Sequence, residues 1–257
     1  MNKLTAAITA LAFSIPAHAF DLEGALKGAM EKGGTSQPAS ASAPAAGSGS
    51  VDQLKPAEIN SGLKEALTRG SEAAVAQLGK QDGFFGNEAL RIPLPSGLKK
   101  AEKAMRMMGM GNQADELVLS MNRAAEAAVP EAKTLLVKSV REMSLQDAKG
   151  ILTGGDTAAT DFFRRKTETE LTKRFGPIVK KTTDRAGLAQ QYNKYAGTAA
   201  QFGALDKNQA TVEQYVTQQT LDRLYKVIGE QERALRANPM QAGSTLLQKV
   251  FGAVSGR

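Results

Sequence analysis

The sequence predicts an all-α fold: a single bundle-like domain of about eight helices, preceded by a signal peptide and a disordered linker. Three observations carry this. Apolar residues recur at spacings of three and four through most of the chain beyond Pro56. No stretch sustains the two-residue alternation of a half-buried strand. Residues 33–50, GGTSQPASASAPAAGSGS, hold no large apolar side chain and have the composition of a linker.

The elements follow in chain order. Residues 1–19 read as a signal peptide: Lys3 in a weakly basic start, a mostly apolar run from Leu4 to Ile15, then the small residues of Ala17-His18-Ala19. Cleavage is expected after Ala19, which places the mature protein in the periplasm, with secretion as the alternative. The apolar run is too short to span a bilayer, and no later stretch approaches that length. Residues 20–32 carry Leu22, Leu26 and Met30 on one face of a short amphipathic helix. The linker follows, and the helical domain occupies residues 51–257.

Within that domain, Pro56 suits a first helical turn, and Ile59, Leu63, Ala66, Leu67, Gly70, Ala74 and Leu78 form one stripe that ends at Gly79. Gly83, Gly86, Pro93 and Pro95 prevent KQDGFFGNEALRIPLP from being one helix. Its apolar residues predict an ordered loop lying on the core. Helices are expected over 96–108, 112–129 and 130–143, the second with Ala114, Leu117, Val118, Met121, Ala124, Ala125 and Ala128 inward. MSLQDAKGILTGGDTAATDFFRRKT, from Met143 to Thr167, reads as a short helix capped by Ser144, a two-glycine break and a longer helix. Gly176-Pro177 is expected to break or kink that helix, with another running on to about Phe202. A long helix over 211–236 ends at Asn238-Pro239, and Ser244 to Phe251 is a last amphipathic segment.

Composition closes off several chemistries. Cysteine and tryptophan are absent, and His18, the single histidine, leaves with the signal. Ser-His and Cys-His catalysis, His- or Cys-ligated zinc and disulfides are therefore excluded from the mature chain. No cofactor and no metal site is expected, and no catalytic residue is assigned. The formal net charge is +7, with the charges dispersed. For an exported protein this points to a solvated surface, or to anionic lipid, glycan or an acidic partner. Nucleic acid is not expected, because the few aromatics are not interleaved with basic residues.

The order of motifs resembles the bacterial exported family catalogued as domain of unknown function 4197. The matching segments are GLKEAL, FFGNEALRIPLP, LSMNRAAEAAVPEAK, the Met143–Thr167 stretch, FGPIV, YVTQQTLDRLYKVIGEQERALRANP and LLQKVFG, over roughly Val51 to Gly252. The resemblance implies an envelope location and a helical fold, and implies no reaction.

Two constellations are candidates for ligand binding. At the Gly154-Gly155 break, a helix N-terminus presents free N–H groups and the positive end of its dipole. Either Asp156 or Thr157 caps it, with Asp161 pairing to Arg164 or Arg165, or Thr157, Thr160, Arg164 and Arg165 line a pocket for an anion. The spacing of a calcium loop is absent. The second constellation is Asn122, Arg123 and Glu126. It is either an interhelical polar network that sets register or a site with Glu126 as general acid. A third group, Glu230 to Pro239, reads as a solvated face ending a helix. The leading expectation is a non-enzymatic module binding an envelope ligand or protein. The alternatives are a glycan hydrolase using Glu126 with Asp156 or Asp161, and a peripheral membrane protein.

Overall fold

The computed structural model describes residues 56–107, 109, 111–185 and 211–238, with 190, 192, 193 and 196 between them. The expected signal peptide, the helix over 20–32, the linker and the segment over 244–251 lie outside these residues. The described part is all-α. Its helices are α1 (Pro56–Leu78), α2 (Lys99–Met107), α3 (Gly111–Ala128), α4 (Ala132–Arg141), α5 (Leu145–Thr153), α6 (Ala158–Arg185) and α7 (Val212–Ala237). Short 3-10 turns at Ser96–Leu98 and Val129–Glu131 lead into α2 and α4. Pro130 sits in the second turn, where its missing N–H costs nothing.

Helix α6 is the centre. It packs on α3, α4, α5 and α7, while α1 lies across α4, α5 and α7. The predicted stripes are the buried ones. Leu63, Ala66, Leu67, Ala74 and Leu78 of α1 are buried, as are Met121, Ala124, Ala125 and Ala128 of α3. The alanines of α3 keep its surface shallow and allow α6 to approach. Phe162, Phe163, Leu171, Phe175 and Val179 fill the space on the α6 side. Each such large side chain contributes about 1.5–3 kcal/mol by leaving water.

Of the break or kink expected at Gly176-Pro177, the break is corrected: α6 runs through it from Ala158 to Arg185. An interior proline costs a helix about 3 kcal/mol. Here Phe175 and Val179 on either side are buried, and Gly176 has no Cβ for the proline ring to press against. At the two-glycine break, packing and not an unusual backbone conformation constrains Gly154. Gly154 has φ −80 and ψ 175, an extended conformation open to any residue. It is confined by space instead, since a Cβ there would meet Ala158 Cβ at 2.6 Å and Gly150 O at 2.7 Å. A Cβ on Gly155 would meet nothing within 4 Å. Among the described residues, positive φ belongs to Asp82 (62°) and Gly109 (79°).

The two glycines are thus expected to respond differently. Gly154→Ala should destabilise the protein by about 1–3 kcal/mol through overpacking. Gly155→Ala should be neutral or stabilising by about 0.4–1 kcal/mol. Denaturant unfolding of the two variants checks this.

Candidate functional site

The α5–α6 break is built from capping groups. Ser144 begins α5 with a capping box, accepting from the Asp147 N–H while Asp147 accepts from the Ser144 N–H, both at 3.1 Å. At the far side of the break, the free N–H groups of α6 are taken by neither Asp156 nor Thr157. Glu232, reaching across from α7, takes them. Its Oε1 accepts from the Ala159 N–H at 2.9 Å, and its Oε2 from the Thr160 N–H at 2.9 Å and the Thr160 hydroxyl at 2.8 Å. Arg236, one turn later, donates to Glu232 at 2.8 Å and to the Ile151 carbonyl of α5 at 2.8 Å. One ion pair from α7 therefore closes the positive end of α6 and the negative end of α5.

The side chains of Glu232 and Arg236 are only 6% and 12% exposed, so the expected solvated face at Glu230 to Pro239 is corrected at these two positions. Gly229 lies at this approach. A Cβ there would stand 3.3 Å from Thr160 Oγ1, so the helices meet closely where the carboxylate crosses.

The candidate residues around the break separate. Thr160 is buried under Glu232. Asp156 and Thr157 are exposed, and the Thr157 hydroxyl donates to Asp161 at 3.3 Å. Arg164 pairs with Glu168 of its own helix at 3.1 Å and reaches α7, where Asp222 lies at 3.5 Å and the Tyr225 ring 4.6 Å beneath its guanidinium. Arg165 is exposed on the α5 side, near Asp147. The expected pocket of Thr157, Thr160, Arg164 and Arg165 is not assembled.

Asn122, Arg123 and Glu126 do form one network, but its partner is the loop at residues 79–95 and not another helix. Asn122 is fully buried and holds Ile92 by both backbone groups, accepting from its N–H at 2.8 Å and donating to its carbonyl at 2.9 Å. Glu126 Oε1 accepts from the Phe84 and Phe85 N–H groups at 3.1 and 3.2 Å. Arg123 pairs with Glu126 at 2.6 Å and with Asp82 at 2.8 Å. The other side of the loop is held by α7: Tyr215 donates to the Pro93 carbonyl at 2.8 Å, Arg223 to Arg91 O at 3.0 Å and Lys226 to Ala89 O at 3.3 Å. The expected ordered loop is a strap fastened between two helices, with Phe84, Leu90, Ile92 and Leu94 buried beneath it. The polar residues of α3 and those of the break share no hydrogen-bond partner.

Free space behind the break is small. Behind the break, α1, α5, α6 and α7 enclose a crevice lined by Leu63, Leu67, Ile151, Phe163 and Leu235, with Glu232 and Arg236 on its polar side. Its volume is about 20 Å3, enough for a water molecule and little more. A wider groove of about 570 Å3 lies between α1 and α4, but Lys133–Glu72 and Lys138–Glu142 pair within it. Among the described residues no cluster of three or more acidic, His or Cys groups could hold a metal ion.

Sequence reasoning missed Arg223 and Lys226, and took Glu232 only as part of a solvated face. Their helix reads as an ordinary amphipathic one, and only the tertiary crossing shows what they hold.

The chain belongs to the family described as protein of unknown function (DUF4197), whose family model matches residues 53–252. The match covers every described element and begins just before α1. No curated protein and no solved structure matches the chain.

Two outcomes follow from the caps. Glu232→Gln places an amide donor among groups that already donate, and should cost about 2–4 kcal/mol of stability in chemical unfolding. Hydrogen bonds from the Ser144 hydroxyl and N–H hold the Asp147 carboxyl below its ordinary 3.8. A lowered folded pKa stabilises the fold above the unfolded value, and that contribution disappears as pH falls through the folded one. The deficit in melting temperature of Asp147→Asn against the native chain should therefore be largest near neutral pH and shrink below pH about 4.

Proposed function

We propose that this protein is an exported, periplasmic, non-catalytic binding module of the cell envelope. The observation that carries the reading is how the buried carboxylates are used. Both oxygens of Glu126 and both of Glu232 accept from backbone N–H groups or arginine. A general acid must carry and release a proton at a reacting bond. These two groups face strap and helix backbone instead, and neither crevice is lined by Glu126, Asp156 or Asp161. The signal-like start at residues 1–19 supports export, and the absence of cysteine fits a fold held by packing. No helix among the described residues is long and apolar enough to cross a membrane.

Two measurements test this. The periplasmic fraction should contain a chain whose N-terminal residue is Phe20. The same chain, incubated with peptidoglycan, should release no new reducing ends. Release that disappears in Glu126→Gln while the variant stays folded would replace the binding reading with the two-carboxylate hydrolase.

A further inference from the structure

The sequence gathers its thioethers at one place. MRMMGM, residues 105–110, holds four of the nine methionines and runs from the end of α2 to the start of α3. With no cysteine and no tryptophan in the chain, thioethers are its most readily oxidised groups. Among thioethers, susceptibility follows exposure.

The described methionines divide sharply on that criterion. Met107, the last residue of α2, is 81% exposed. Met121 of α3 is fully buried, and Met143, just before α5, is 4% exposed. These two belong to the core, where a sulfoxide oxygen would be a buried polar atom without a partner.

The junction of α2 and α3 is held without the Met107 side chain. The Gly109 N–H donates to the Arg106 carbonyl at 3.2 Å, and the φ of 79° at Gly109 lies in the left-handed region that glycine favours. Arg106 ties the two helices together, pairing with Glu102 of α2 at 2.9 Å and with Asp115 of α3. These bonds are polar, and they leave the Met107 thioether in water. An oxygen added there meets solvent, so it neither disrupts a packed site nor buries a polar group.

We propose that Met107 is a site of methionine oxidation by hydrogen peroxide, placed so that the oxidant is consumed without loss of the fold. The thioether sulfur attacks one peroxide oxygen: an S–O bond forms and the O–O bond breaks. The hydroxide released takes the proton from the transferred oxygen and leaves as water. Sulfur loses two electrons, and the peroxide gains them. A methionine sulfoxide reductase with a thiol reductant reverses the step, which lets the site act repeatedly. This chemistry goes beyond the binding reading above and does not rest on it.

The test treats the intact chain with limiting hydrogen peroxide and follows each sulfoxide by tandem mass spectrometry. In the folded chain Met107 should oxidise about tenfold or more faster than Met121 and Met143, and in guanidinium the three rates should fall within about threefold of one another. Met107→Gln, a polar side chain of similar length to the sulfoxide, should keep the native unfolding midpoint, while Met121→Gln should lower it. If Met121→Gln does not fold, Met107→Gln decides alone. Oxidation of Met107 no faster than that of Met121 in the folded chain overturns the site. A rate difference that persists in guanidinium also overturns it, because exposure would then not be the cause. A lowered midpoint for Met107→Gln overturns the separation of this side chain from the fold. Peptidoglycan cleavage would instead defeat the binding reading and leave the oxidation rates unchanged.

Discussion

An α-helix begins with four N–H groups that have no partner within it, and α6 begins inside the protein, against α7. That requirement organises the centre of the fold. Glu232 supplies two oxygens to the Ala159 and Thr160 N–H groups, and Arg236 compensates its charge while reaching back to the end of α5. A carboxylate buried without such partners would cost several kcal/mol; with them, Glu232 and Arg236 tie the start of α6 and the end of α5 to α7. The crossing of α6 and α7 is close because Gly229 lies against Thr160, so the small residue and the charged one belong to a single device.

The strap meets the same requirement by another route. Residues 79–95 are irregular, yet Phe84, Leu90 and Ile92 are buried, so the backbone around them must be satisfied without helix or sheet ladders. Side chains provide the bonds. Asn122 takes both backbone groups of Ile92 from the α3 side, while Tyr215, Arg223 and Lys226 take carbonyls from the α7 side. Polar residues with a catalytic look in the sequence are here acceptors and donors for a buried loop.

This explains which features were legible in the sequence. Helix stripes depend on local periodicity, so the buried faces of α1 and α3 could be read directly, as could the Ser144 cap, whose partner is three residues away. Proximity of Asn122, Arg123 and Glu126 on one helix was equally visible. What they hold was not, because Phe84 and Ile92 lie 42 and 30 residues away in the chain. The expected Asp156 cap failed for the same reason: local capping was displaced by Glu232, more than 70 residues distant. Pro177 misled because its local cost is real, and only the burial of Phe175 and Val179 shows why α6 continues.

Acidic and basic groups consequently end up in different roles. Glu126 and Glu232 are drawn inward, where N–H groups and arginines surround them. On the α7 side of the strap, Arg223 and Lys226 face carbonyls, which accept their hydrogen bonds without cancelling their charge. A net positive protein can express its charge diffusely, or fix part of it in place. Around Arg223 it is fixed, because the bonds that immobilise the loop also immobilise the cations.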